Sequence, residues 1–286
     1  MNVLVTGASG FVGSHLLAYL GAHLEANLSG LTRIASDNPG NVSCELTDSK
    51  QVNSIIKSLQ PALVFHVAGS FTNDFETDYA SNVLAAKNIL EACALHSRDS
   101  RVMLMGSAAE YGEVCHQDNP VNEDRLLNPV SVYGWSKAAQ SLLAPLYANK
   151  YGIAVMVART FNLSGPGMSE RLFTGRVERQ VADILAGKAS RISVGNLDAK
   201  RDYIDIEDAC AMYLSIAAKG QPGEIYNVGS GIAISMRDLL HTLLEAHGLD
   251  ESVVDETREH NPGKEVSMIY ANIRKVSTLM KSGSHT

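Results

Sequence analysis

Residues 1–20 read MNVLVTGASGFVGSHLLAYL, and the transition inside them decides the fold. Asn2 to Thr6 is a short apolar, β-branched run, the composition of a buried strand. Gly7, Gly10 and Gly13 follow at once, and from Gly10 to Leu20 the pattern is helical. Small residues in such a turn let the backbone approach a pyrophosphate and let the helix pack tightly on its strand. The helix N-terminus adds unpaired N–H groups and a partial positive charge. Placed directly between strand and helix, this spacing points to a bound dinucleotide, with Phe11 and Val12 completing the loop that meets it.

Working outward, the same alternation repeats. NLSGLTR (27–33), ALVFHVA (62–68), RVMLMGS (101–107) and IAVMVART (153–160) read as further buried strands. Helical patterns over 48–59, 78–95 and 133–150 lie between them. Continuous apolar strands separated by helices predict a parallel sheet covered on both faces, a doubly wound α/β (Rossmann) fold. After Asn162 the rhythm changes to a Gly- and Pro-rich loop, LSGPGMSE, and a helix over 171–186. RISVG, EIYNVGS and a helix over 235–246 follow. The expected organisation is a dinucleotide-binding domain over 1–165 and a smaller substrate-binding lobe over 166–286, part of which returns to the sheet.

Composition narrows the function. The chain has 286 residues, 45% hydrophobic and 19% charged, enough for a sizeable core. A formal charge of −7 and the lack of a dense Lys/Arg run argue against a nucleic-acid partner. No apolar run approaches the roughly 20 residues of a membrane helix. The chain opens on a strand rather than a signal-peptide pattern, so a cytoplasmic location is expected. Cys44, Cys93, Cys115 and Cys210 are far apart, and neither His15 nor His66 has a partner at ligand spacing, so no metal is expected.

The end of the second strand bears on the choice of cofactor. An acidic residue there would accept hydrogen bonds from the ribose hydroxyls of NAD. Thr32 and Arg33 stand in that place. A guanidinium suits a phosphate, which favours NADP with NAD still possible, although Arg33 could also stack on adenine.

A second stretch, VSVYGWSKAAQ (130–140), sets Tyr133 and Lys137 at i and i+4, on one face of a helix. A free phenol has a pKa of about 10, and a neighbouring ammonium favours its phenolate. With the glycine turn come FHVAG (65–69), GSAAEYG (106–112), RTFNLSGPG (159–167) and RDYIDIEDA (201–209), in order. On this ordered set the chain resembles the extended short-chain dehydrogenase/reductase family over nearly its whole length.

The resemblance implies roles. Tyr133 would exchange a proton with the substrate oxygen, Lys137 would hold the nicotinamide ribose, and Ser107 would hydrogen-bond the reacting carbonyl. Ala68 and Gly69 would line the cofactor, with Glu45 and Leu46 on its adenine side. Nucleotide-sugar 4,6-dehydratases carry acidic residues between the equivalents of Ser107 and Tyr111, and GDP-fucose synthases a cysteine. Ala108 and Ala109 can transfer no proton, which leaves hydride exchange at one carbon.

The second half is similar to GDP-sugar reductases and dehydratases. This implies NADP-preferring reduction at C4 of a nucleotide-sugar, GDP-4-keto-6-deoxy-D-mannose. Asn162 and Arg201 would face the diphosphate; Arg201 could instead pair with Asp202. Arg171 and Arg176 are either phosphate contacts or solvated helix charges. The family's usual C-terminal Arg-Pro is replaced by Asn261-Pro262, with Arg258 and Lys264 as the nearby cations that could substitute. Helices over 78–95 and 133–150 resemble those that form a four-helix homodimer interface. The alternatives are a 4-epimerase with tightly bound NAD and a non-catalytic NAD(P)-binding sensor.

Overall fold

The structure, a computed structural model, describes residues 1–34, 40–257 and 267–281. The first half supplies strands β1 (Asn2–Thr6), β2 (Asn27–Thr32), β3 (Asn41–Ser43), β4 (Leu63–His66), β5 (Arg101–Ser107) and β6 (Ala154–Thr160). Its helices are α1 (Phe11–His23), α2 (Ser49–Leu59), α3 (Phe75–Asp78), α4 (Ala85–His96), α5 (Val132–Ser141) and α6 (Leu143–Tyr151). The second half adds β7 (Asn162–Ser164), α7 (Phe173–Leu185), β8 (Ile192–Val194), β9 (Lys200–Arg201), β10 (Tyr203–Asp205), α8 (Ile206–Lys219) and β11 (Ile225–Val228). It ends with β12 (Ile234–Ser235), α9 (Met236–Glu245), β13 (Val254–Glu256), β14 (Met268–Ile269) and α10 (Arg274–Lys281).

Seven strands form one parallel sheet in the order β3-β2-β1-β4-β5-β6-β11. The chain winds one way from β1 and the other way from β4, the doubly wound arrangement that the alternation predicts. The reversal puts a crevice at the carboxyl ends of β1 and β4. Alternation along β1 divides the core: Val3 and Val5 face α1 and α8, while Leu4 faces α2 and α4. Leu16, Leu20, Cys210, Tyr213 and Ile216 cover the first face, and Val52, Ile56, Ile89, Leu90 and Tyr147 the second. Among the described residues no helix is long and apolar enough to cross a membrane.

Two predicted helices differ in detail. The one over 133–150 is interrupted at Leu142, giving α5 and α6. Pro145 explains the break: it has no N–H for the carbonyl four residues back, and its ring crowds that carbonyl. The helix expected from 78 starts earlier, because the Asp74 carboxylate caps it by accepting from the Thr77 N–H at 2.9 Å. It then passes through a π-helical segment, Tyr79–Leu84, before continuing as α4. Strand β3 and helix α10 were not among the expected elements.

The second half also builds its own small core, in which Val177, Val181, Ile192, Val194, Leu240 and Leu244 pack together. Asp202, fully buried, ties this region to the sheet. Its oxygens accept from the Ser230 N–H and hydroxyl, both at 2.7 Å, and from the Gly231 and Ala271 N–H groups, both at 3.0 Å. Arg258, Asn261, Pro262 and Lys264 lie outside the described residues.

Candidate active site

The glycine turn is shaped by close approach. Gly7 has φ +68°, and a Cβ there would stand 2.8 Å from the Ala68 Cα. A Cβ on Gly13 would collide with the Gly7 carbonyl. Gly10 is the N-cap of α1 and supplies no side-chain hydrogen bond, so the N–H groups of the first turn are not capped from within. Phe11 and Val12 are partly buried against the core. This is a cradle a side chain would fill and a row of donors with a positive end, which fits a dinucleotide pyrophosphate. At the end of β2, Thr32 is buried and its hydroxyl donates to the Ile34 carbonyl at 2.8 Å, while Arg33 is exposed. Glu45 is exposed, and one of its oxygens accepts from the Thr47 N–H and hydroxyl at 3.1 and 2.8 Å. Leu46 is half-buried, and its carbonyl accepts from Asn88 at 2.9 Å.

Ser107, Tyr133 and Lys137 come together at the same edge of the sheet. Ser107 ends β5, and helix α5 delivers the other two. Ser131 caps α5 by accepting from the Gly134 N–H at 3.0 Å, and Asn73 Oδ1 accepts from the Tyr133 N–H at 3.2 Å. The Ser107 side chain stands near enough to the Tyr133 hydroxyl to act on its ionisation. Burial raises the phenol above its ordinary pKa; the Ser107 hydroxyl opposes this, while the Glu110 and Asp78 carboxylates reinforce it. Lys137, 4% exposed, donates from Nζ to the Met105 carbonyl and to Gln140 Oε1, both at 2.9 Å. It abuts Gly69, where a Cβ would stand 3.2 Å from Nζ. Burial pushes the ammonium down to about 8, against the pull of Glu110 and Asp78. The expected lowering of the phenol by Lys137 is therefore corrected: burial dominates, and the group that lowers it is Ser107.

His66 sits at the end of β4 with Nδ1 at 2.9 Å from Thr6 Oγ1. Burial, aided by Lys137, pushes it down to about 3, so it is neutral near pH 7. Among the described residues no cluster of three or more His, Cys, Asp or Glu side chains is arranged to hold a metal ion.

Other groups that build the site were not singled out from sequence. Glu110, fully buried, accepts from the Ser107 N–H at 2.7 Å and forms an ion pair with Arg159 at 2.8 Å. The Arg159 guanidinium lies 4.6 Å from the Tyr111 ring centre. Ser107 and Glu110 form a capping box, and that Ser-x-x-Glu spacing was the available signal. Arg159 had none, because its partner is 49 residues away. Asp78 and Asn82 are buried and hold the turn after β4. Aromatic rings collect there: Phe71 meets Tyr133 edge-on at 4.7 Å, and Trp135 stacks on Phe75 at 4.9 Å.

The second half contributes the remaining candidates. Asn162 Nδ2 donates to the Asp202 carbonyl at 3.0 Å, joining β7 to β10. Arg171 is exposed just before α7 and Arg176 on its first turn. Arg201 lies in β9 near Tyr203, where it opposes the rise to about 12 that burial imposes on that phenol. Asp202 is occupied by Ser230, Gly231 and Ala271, as described above.

Comparison with known proteins agrees with this geometry. Residues 3–229 match the NAD dependent epimerase/dehydratase family. The GDP-6-deoxy-D-mannose reductase of Pseudomonas aeruginosa is 30% identical over 266 residues, covering 89% of this chain and 83% of the relative. The dTDP-glucose 4,6-dehydratase of Streptomyces antibioticus is 30% identical over 278 residues, covering 89% and 80%. The structure of RMD from Pseudomonas aeruginosa complexed with NADPH has a TM-score of 0.83 at 27% identity, covering 98% of this chain and 92% of that one. With a glycine cradle at the switch point, a serine, tyrosine and lysine gathered beside it, and a match spanning most of the sheet, the chain belongs to the NAD dependent epimerase/dehydratase family.

Proposed function

We propose that this protein uses NADPH to reduce the C4 ketone of a nucleotide-diphosphate 4-keto-6-deoxy-hexose, GDP-4-keto-6-deoxy-D-mannose. The observation that carries the reading is the gathering of the Ser107 hydroxyl, the Tyr133 phenol and buried Lys137 beside the glycine cradle. When bound, the reduced nicotinamide supplies the hydride. Ser107 Oγ accepts from the Ala109 N–H at 3.2 Å, which leaves its own proton to donate to the C4 carbonyl oxygen. Tyr133 gives its phenolic proton to that oxygen, and solvent restores it. A phenol held above its ordinary pKa keeps its proton at neutral pH, which suits donation. Lys137 commits two of its three N–H donors to Met105 and Gln140, and the third serves a ribose hydroxyl.

Support for NADP comes from exposed Arg33 beside an inward-turned Thr32, and from the NADPH complex of the Pseudomonas aeruginosa protein. Gly7, Gly10, Gly13, Phe11, Val12, Ala68 and Gly69 surround the assigned cofactor position, with Glu45 and Leu46 at its adenine end. We assign the substrate diphosphate to Arg171, Arg176 and Arg201, with Asn162 just beyond β6. Ala108 and Ala109 offer no group for dehydration chemistry. Exposed Phe75, Tyr79, Trp135, Leu142 and Leu146 support a homodimer through a four-helix interface.

Consumption of NADPH against GDP-, dTDP- and UDP-linked 4-keto-6-deoxy sugars tests the assignment. Turnover with the GDP-linked ketone is expected; reaction of the other donors alone would remove GDP. A second reading, a nucleotide-sugar 4-epimerase, is favoured by the family the chain belongs to. It requires NAD retained through purification, visible in the absorbance of the isolated protein, whereas a reductase releases its cofactor at each turnover.

A further inference from the structure

Phe71 stands in the turn after β4 with its side chain 48% exposed, its ring edge-on to that of Tyr133 with the planes at 88°. A single exposed phenylalanine is ordinary. The way this one is held is not. Asn82 accepts from the Ser70 N–H at 2.9 Å and donates to the Ser70 carbonyl at 3.0 Å. Asp78 accepts from the Thr72 N–H at 3.0 Å, the Thr72 hydroxyl at 2.8 Å and the Asn73 N–H at 2.9 Å. Asn73 has φ +59°, in the left-handed region, and reaches across to the N–H of Tyr133 itself. The residues on both sides of Phe71 are thus anchored by two fully buried polar side chains, and the turn is joined to the helix that carries the phenol. A ring so fixed, touching the proton donor yet facing solvent, has the form of a preorganised ligand contact.

We propose that Phe71 is a specificity-determining residue that packs against C6 of the hexose and selects a methyl group there. The inference rests on the substrate reading given above. With the C4 oxygen held by Ser107 and Tyr133, C6 is three bonds from that oxygen, within reach of a ring that touches the Tyr133 ring. A phenyl face receives a methyl group and offers no partner to a C6 hydroxyl, which would lose hydrogen bonds to water on entering. An apolar contact discriminates weakly against an added hydroxyl, so the preference is modest in size.

The reverse reaction reads it directly. NADP+ reduction by the full-length protein is measured with GDP-6-deoxy-D-mannose and with GDP-D-mannose, which differ at C6. The wild type should favour the 6-deoxy sugar by about 10- to 100-fold in kcat/KM, and Phe71→Ala should lose about 10-fold of that ratio. The loss should come chiefly through a raised KM for the 6-deoxy sugar, with the KM for NADP+ unchanged. Phe71→Leu, which keeps an apolar side chain, should retain most of the preference. An unchanged ratio in Phe71→Ala, or a wild type indifferent to C6, overturns the role of Phe71 and leaves the reductase reading in place. A wild type that neither oxidises these sugars nor reduces the matching ketone overturns the substrate reading, and the C6 contact with it.

Discussion

Tyr133 is assigned the one chemical step that belongs to the protein, and its hydroxyl can be removed without disturbing its ring. Tyr133→Phe should lower turnover by about 100-fold or more while NADPH affinity, followed by nicotinamide fluorescence, stays near that of the wild type. Turnover close to wild type would place the proton donor elsewhere. His66 makes a different test. Its folded pKa of about 3 lies below the ordinary value for a histidine, so between those values the unfolded chain binds a proton that the folded chain does not. Stability therefore falls as the pH drops through the ordinary histidine range and goes on falling towards pH 3. His66→Gln should recover roughly 2 kcal/mol of the stability lost between pH 7 and pH 5, measured by urea unfolding of the two proteins side by side. At this scale the sequence was legible where spacing is local. Tyr133 and Lys137 are four apart, and the three glycines fall within seven residues. Glu110 was equally readable from its place three residues after Ser107, but Arg159, its partner on the neighbouring strand β6, carries no local sign of that pairing. The direction of the Tyr133 shift was misjudged because burial, which acts over the whole surroundings of a ring, does not show in a helix-face argument.

Among elements, the strands and most helices follow from periodicity, and the exceptions have physical causes. Pro145 divides one predicted helix into α5 and α6. The π-helical segment at Tyr79–Leu84 leaves no trace in the apolar pattern, since it adds a wide turn without changing which residues face inward. Asp78 precedes that segment and secures the turn after β4. Burial alone would raise its carboxyl, but hydrogen bonds from Thr72, Ser70 and Asn73 outweigh burial and hold it below the ordinary carboxylate range. Asp78→Ala frees three donors and should destabilise the protein by about 2–4 kcal/mol at pH 7 by urea unfolding. Because the folded pKa is lowered, the carboxylate's contribution is complete above the ordinary range and disappears as the pH falls through the folded value. The gap between wild type and Asp78→Ala should accordingly narrow below about pH 4. A gap that stays constant down to low pH would show that packing, rather than charge, supplies it.

For the molecule as a whole, the sequence announces a parallel sheet but not how far the second half completes it. Strand β11 forms one edge by pairing with β6, and α8 covers the face that α1 covers only in part, through Ala209, Cys210, Tyr213 and Ile216. The residues that build α8 were quoted as a family landmark, and nothing local in them says which face of the sheet they cover. A fragment of residues 1–165 lacks both elements and leaves an apolar sheet face open. It should aggregate or show no cooperative thermal transition by circular dichroism, whereas the full chain unfolds cooperatively. A soluble, cooperatively folding fragment would mean that the sheet closes without them.

Trp135 is the single tryptophan of the chain, stacked on Phe75 and two residues from Tyr133. Its emission therefore has one source, at the boundary between the clamped turn and the reactive helix. If nucleotide and sugar bind beside Tyr133 as proposed, the protein carries a native optical gauge of their arrival that needs no attached dye.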